Sequence, residues 1–181
     1  VTYYYKKVAR DVNLVKYKED GKTPLAGARF TIDGQEYITD SNGKITTNLE
    51  FGTYDVTETE APDGYKLPEN PTTKVTISKA TPETVNITNE KKTGTVTVHY
   101  YIEGTTDKVP LKAGGTASDV TGSGKEGESY ITSAIADDKL SDEYELVEIP
   151  SNANGTYNGN EVVVTYYYKK VARDVNLVKY K

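Results

Sequence analysis

Apolar and polar residues alternate along most of this chain with a period of two, which puts successive side chains on opposite faces of a strand. DVNLVKYK at 11–18 alternates without a break, and EDGKTPLAG at 19–27 reads as a turn. ARFTID and EYIT, joined through DGQ, read as a hairpin, and DSNGK at 40–44 reads as a second tight turn. KITTNL and FGTYDVTETE continue the meander, APDGYKLPENP at 61–71 is a loop punctuated by proline and glycine, and KVTIS and ETVNITNE add two more strands. About seven strands in roughly 80 residues predict a β-sandwich.

The pattern shifts at KKTG, residues 91–94, where charge and glycine predict a linker. GTVTVHYYIEG then opens a second module as a strand. KAGGTASDVTGSGKEGES has little periodicity and predicts loops with a short strand at most, and ITSAIADDKL predicts a helical turn or two. YELVEIP predicts a strand, SNANGTYNGN a long turn with two Asn-Gly signals, and EVVVTYYYKK the closing strand. The second module is therefore expected to be a small, mostly β, grasp-like mixed sheet.

A longer pattern overlies these elements. Residues 1–18, VTYYYKKVARDVNLVKYK, recur without a substitution at 164–181, an offset of 163 positions. Identity of that extent predicts a tandem array with the offset as its period. On that reading residues 1–7 are the last strand of a preceding second module, 8–92 the sandwich, 93–170 the second module, and 171–181 the first strand of the next sandwich. Both ends are then severed edges, Tyr3, Tyr4 and Tyr5 are available, and neighbouring copies are expected to associate head-to-tail.

Composition narrows the chemistry. Lys+Arg 22 against Asp+Glu 27 gives a net charge of −5 with the signs interspersed, which argues against nucleic acid as a partner. No apolar run of about 20 residues is available to cross a bilayer, so no membrane insertion is expected. Cys 0 excludes disulfides, thiol nucleophiles and thiolate metal sites, and His99 alone cannot build a histidine cage, so neither metal nor cofactor is expected. His99 reads as a surface or cross-strand residue. DSNGK and SDE lack the ligand series of a calcium loop, and LPENP at 67–71 reads as a proline-stiffened loop. With Met 0 and Trp 0 as well, two small cores need another source of stability.

Strand parity supplies a candidate. Val12, Leu14 and Lys16 share one face, as do Tyr54, Val56 and Glu58, and Val85, Ile87 and Asn89. Three strands thus run apolar, apolar, polar toward one core, ending in a lysine, a glutamate and an asparagine. A desolvated lysine loses its preference for the charged form and becomes a nucleophilic amine, while a carboxyl group in an apolar site can hold a proton and pass it on. With Glu58 moving protons, attack of Lys16 on Asn89 would release ammonia and leave an amide cross-link. The same trio could instead form only a salt bridge with a hydrogen bond. Lys18 shares the inward parity but borders the turn, and Asn86 falls on the outer face.

The run LVKYKEDGKTPLAGARF, followed by FGTYDVTETEAPDGYKLP and closed by VNITNEKK, resembles the CnaB-type (SpaA-like) domain of Gram-positive adhesins and pilins. The resemblance implies a prealbumin-like or Ig-like β-sandwich with an intramolecular Lys–Asn isopeptide bond. It assigns the cross-link to Lys16 and Asn89 and the promoting acid to Glu58; Lys179 is Lys16 one period on. GTVTVHYYIEGTT, the ELVEIPSNANG run and the closing VVTYYYK resemble the MucBP (mucin-binding protein) repeat of bacterial surface proteins. That resemblance implies adhesion, with host mucin or glycans as partners, and Tyr101, Tyr157 and Tyr167 are candidates to stack on sugar faces. The chain is therefore expected to be a stalk repeat of a cell-wall-anchored adhesin at the bacterial surface, anchored through segments outside residues 1–181. The alternative is a host-glycan-binding module; a turnover enzyme is not expected, because the reactive trio consumes itself.

Overall fold

The computed structural model describes residues 1–79 and 84–172. It falls into two units, Val1–Lys92 and a second beginning at Thr93.

The first unit holds β1 (Ala9–Lys18), β2 (Arg29–Ile32), β3 (Gln35–Ile38), β4 (Lys44–Glu50), β5 (Gly52–Glu60), β6 (Thr72–Ile77) and β7 (Thr84–Asn89). They form two sheets, ordered β4-β1-β7 and β3-β2-β5-β6. The Asp33-Gly34 turn joining β2 to β3 has positive φ at both residues, 50° and 75°, as a tight hairpin of this twist requires. Alternation along the strands delivers Val12 and Leu14 from the first sheet, and Phe30, Ile32, Val56, Val75 and Ile77 from the second, to one buried cluster. Burying each such side chain contributes about 1.5–3 kcal/mol. One pairing is long-range and parallel: β1 runs beside β7 from Asn13↔Thr84 to Lys18↔Asn89, so the first and last strands of the unit are neighbours. Residues 1–7 lie outside the strands, with Tyr3, Tyr4 and Tyr5 exposed and Lys7 paired to Glu50 at 2.9 Å.

The second unit holds β8 (Thr93–Ile102), β9 (Val120–Lys125), β10 (Ser129–Ile131), β11 (Tyr144–Leu146), β12 (Asn154–Thr156) and β13 (Glu161–Lys170). A mixed sheet is ordered β11-β13-β8-β9, with β13 and β8 parallel, and β10 pairs with β12 beside it. Its core is tyrosine-rich: Tyr100, Tyr130, Tyr157, Tyr166 and Tyr168 are all buried among valines and alanines.

Three expectations need correction here. Thr93 already opens β8, so the connection from β7 is only Glu90–Lys92, and Lys92 N still donates to Gly64 O at 2.9 Å. The glycine-rich stretch contains a six-residue strand, β9, paired with β8 from Thr93↔Lys125 to Val98↔Val120. Gly122 and Gly124 are bare because Tyr157 packs on them; a Cβ at Gly124 would collide with that ring. Finally, ITSAIADDKL forms no helix, and there is none among the described residues. Its backbone is claimed from outside: Ile135 N donates to the Tyr168 hydroxyl at 2.8 Å, and the Tyr100 hydroxyl donates to Ser133 O at 3.1 Å. Thr132 N donates to Ala153 O, which leaves one turn, closed by Leu140 N on Ala136 O at 3.0 Å.

Candidate functional site

The three inward polar residues meet. Lys16 and Asn89 come from the adjacent parallel strands β1 and β7, where Lys16 pairs with Ile87 and Lys18 with Asn89. Shared parity puts both side chains on the inner face, two positions apart, within reach of a long lysine stem. Glu58 comes from β5 in the other sheet, opposite Phe30 of β2. Lys16 Nζ donates to Glu58 Oε2 at 2.8 Å and also to Asn89 Oδ1, and Asn89 Nδ2 donates to Glu58 Oε1 at 2.7 Å. One carboxyl group thus faces the amine through one oxygen and the amide nitrogen through the other.

The site is dry. Lys16, Glu58 and Asn89 are 0%, 1% and 2% exposed, and no buried side-chain nitrogen or oxygen among the described residues lacks a partner. Burial pushes the Lys16 amine below its ordinary 10.5, against the opposing pull of the Glu58 carboxylate. The lysine backbone is clipped from two turns: its N–H donates to Gly43 O at 2.7 Å, and its carbonyl accepts from Leu25 N at 2.9 Å. Gly43 sits at φ +69°, and a Cβ there would press on the Lys16 carbonyl, so the Asn-Gly turn needs glycine to approach this closely.

Sequence reasoning missed Phe30. Its ring centroid lies 5.7 Å from Lys16 Nζ and it is fully buried, an aromatic wall against the amine. The signal was present in ARF, whose Phe30 and Ile32 share inward parity. Lys18 is half-buried beside the turn, Asn86 is exposed, and Lys179 lies outside the described residues. Arranged this way, the trio provides a nucleophile, an acyl group and a proton carrier that touches both nitrogens.

The second unit corrects the sugar-stacking candidates. Tyr157 is buried at 8% exposure and packs against Tyr130, so it is a core residue that only lines the edge of a groove rather than an exposed platform. Tyr101 is half-buried between the stacked His99 ring, 5.2 Å away, and Lys108 Nζ, 4.3 Å from its centroid, while Tyr167 is exposed. His99 Nδ1 and Lys108 Nζ both contact Asp119, and the two hold its carboxyl below the usual carboxylate value, Lys108 more strongly. Elsewhere a groove of about 540 Å³ is lined by Tyr100, Tyr130, Thr121, Ser129, Thr132 and Val98.

Known proteins resemble both units. Residues 10–91 match the SpaA prealbumin-like fold domain, and residues 95–169 match the MucBP domain. Internalin J of Listeria monocytogenes is 31% identical over 176 residues, which cover 94% of this chain and 16% of internalin J. Among solved structures, the Bacillus anthracis TIE protein is similar in fold, with a TM-score of 0.64 at 19% identity over 90% of this chain and 34% of that one. The minor pilin GBS52 of Streptococcus agalactiae is 30% identical over 47% of this chain and 45% of its own, with a TM-score of 0.42.

Proposed function

Residues 10–91 belong to the SpaA prealbumin-like family and residues 95–169 to the MucBP family, and on that premise we propose that the chain is a tandem-repeat stalk unit of a bacterial cell-surface adhesin, stapled by an isopeptide bond between Lys16 and Asn89. The observation that carries the staple is the Glu58 carboxyl group bridging the two nitrogens, 2.8 Å from Lys16 Nζ and 2.7 Å from Asn89 Nδ2. The amine attacks the Asn89 side-chain carbonyl carbon; the Nζ–Cγ bond forms, the Cγ–Nδ2 bond breaks, and Nδ2 departs as ammonia. Glu58 takes the proton from the attacking nitrogen through one oxygen and returns it to the leaving nitrogen through the other. The dry core supplies the effective concentration, and a neutral amine is favoured by the burial that lowers the Lys16 pKa. The reaction happens once per molecule, so the chain is not an enzyme in the turnover sense.

The stalk reading draws on the duplicated ends. Val1–Lys7 repeats the residues of β13 from Val164 to Lys170, and Ala9, where β1 begins, repeats Ala172. In an array, one residue would therefore separate β13 from the next β1, and Glu90–Lys92 would separate β7 from β8. Such short connections leave little slack between repeats that follow one another head-to-tail at the cell surface. The test is intact mass: the wild-type chain is expected one ammonia lighter than its sequence, and Lys16→Ala is expected at full sequence mass. An unshifted wild-type mass overturns the staple.

A second reading, recognition of host mucin glycans by the MucBP half, is favoured by the hydroxyl-rich groove around Tyr100 and Tyr130. Retention of the full chain on immobilised mucin, lost on Ser129→Trp, would support it; a stalk alone predicts no selective retention.

A further inference from the structure

We infer that the second unit is the extensible, force-bearing element of this chain: a shear clamp made by its first and last strands. β8 opens the unit and β13 closes it; they lie side by side in the interior of the sheet, parallel, with eight residue pairs from Glu161↔Thr95 to Tyr168↔Ile102. A pull that enters at Thr93 and leaves at Lys170 acts along both strands in opposite directions. The strands cannot peel apart one bond at a time; all the ladder bonds between them carry the load together and must give way together.

Packing resists the same slide. Val96, Val98 and Tyr100 of β8 and Val164, Tyr166 and Tyr168 of β13 are all buried in one core. The Tyr100 and Tyr166 rings are stacked with centroids 5.8 Å apart. Tyr166 and Tyr168 are tied through their hydroxyls to Thr132 Oγ1 at 2.9 Å and Ile135 N at 2.8 Å. Moving β13 along β8 by one residue drags Tyr166 and Tyr168 out of fitted sites and flips every side chain to the wrong face. An antiparallel pair loaded at one end, such as β8 and β9 at Thr93↔Lys125, offers no such resistance and unzips serially.

The first unit shares the topology, since β1 and β7 are also terminal, adjacent and parallel. There, however, the load path crosses Lys16 and Asn89. The clamp in the second unit stands on strand topology alone; that it is the sole extensible element rests on the isopeptide bond proposed above. With that bond in place, residues 17–88 are bypassed and only the second unit can lengthen. Each period then combines an inextensible segment with one that yields at high load and refolds when the load falls.

Force spectroscopy on the full chain, tethered by its two ends, tests this. One step is expected, lengthening the chain by about 23 nm as residues 93–170 straighten from two aligned strands. Lys16→Ala is expected to add a second step of about 25 nm from the first unit. The chain has Cys 0, so attachment through Thr93→Cys and Lys125→Cys is specific, and it converts shear into unzipping. The rupture force of the second unit is expected to fall roughly twofold or more in that geometry, because forced unfolding reads the height of the unfolding barrier along the pulled direction. Equal forces in the two geometries overturn the clamp, whatever the number of steps. Two steps in the wild-type chain overturn only the claim that the second unit alone extends, and with it the isopeptide bond.

Discussion

Lys16, Glu58 and Asn89 show how much one polar position per strand can carry. Removing a single partner from a buried ionic group costs about 3–5 kcal/mol when the remaining charge is stranded, so the trio is a liability unless it is complete or has reacted. Glu58→Gln keeps the shape but replaces one acceptor oxygen with an N–H donor, so it can accept from only one of the two nitrogens and cannot carry the proton between them. That variant is expected to keep its full sequence mass and a free Lys16 amine. Burial holds the folded Lys16 pKa below the unfolded 10.5, so between those values the unfolded chain binds more protons and stability rises with pH. Urea midpoints of Glu58→Gln should therefore climb as pH rises toward 10.5, while a wild-type chain whose amine is consumed by the proposed bond lacks that climb. The trio itself was legible from parity alone. Phe30 had the inward parity of ARF, but its place against the Lys16 amine and the Gly43 clip could not be read, because a residue's neighbours across a sandwich follow from sheet packing.

At the level of elements, β9 is the instructive case. Its sequence, VTGSGK, has no apolar alternation, because the two positions facing the core are Gly122 and Gly124 and the volume there belongs to Tyr157. Glycine at alternate positions is itself a period of two, read here as an absence of side chains. Gly124→Ala forces a Cβ against the Tyr157 ring and is expected to cost about 1–3 kcal/mol, as overpacking of a filled core does. A lowered urea midpoint for the second unit, with hydrogen-exchange protection in β1–β7 unchanged, would verify it. The segment 131–140 fails as a helix for a related reason: tyrosine hydroxyls from β8 and β13 satisfy its backbone groups and hold it irregular. Local propensity is a weak prior where tertiary partners claim the backbone.

Across the whole molecule, neither unit has a disulfide; the first has the proposed amide and the second a tyrosine-rich core, so different pH limits are expected. The second unit relies on buried tyrosines; burial pushes the Tyr168 hydroxyl up to about 12 and raises Tyr100 as well. A raised tyrosine stays protonated in the fold after the unfolded chain has ionised, so its stabilising contribution is full below pH 10 and is lost as pH rises toward 12. Alkaline titration is expected to leave Tyr168 and Tyr100 protonated past pH 10. Their ionisation should come in a cooperative step that takes the sheet signal of the second unit with it. A single, gradual tyrosinate curve with no loss of structure would contradict this. The first unit, closed by the proposed amide, should outlast that step.

Alternation along single strands, the identity of residues 1–18 with 164–181, and the absence of cysteine are local or textual facts, and the sequence by itself determined them. From these came the class of fold, the inward trio and the division into two modules. Which strands become neighbours is another matter, since pairing across the chain depends on how whole faces fill a common core. Only the tertiary structure decided that β1 lies parallel to β7 and β8 to β13. Those two pairings place Lys16 beside Asn89 and turn the ends of each unit into adjacent, co-directional strands, because a parallel pair brings together residues that no local period can relate.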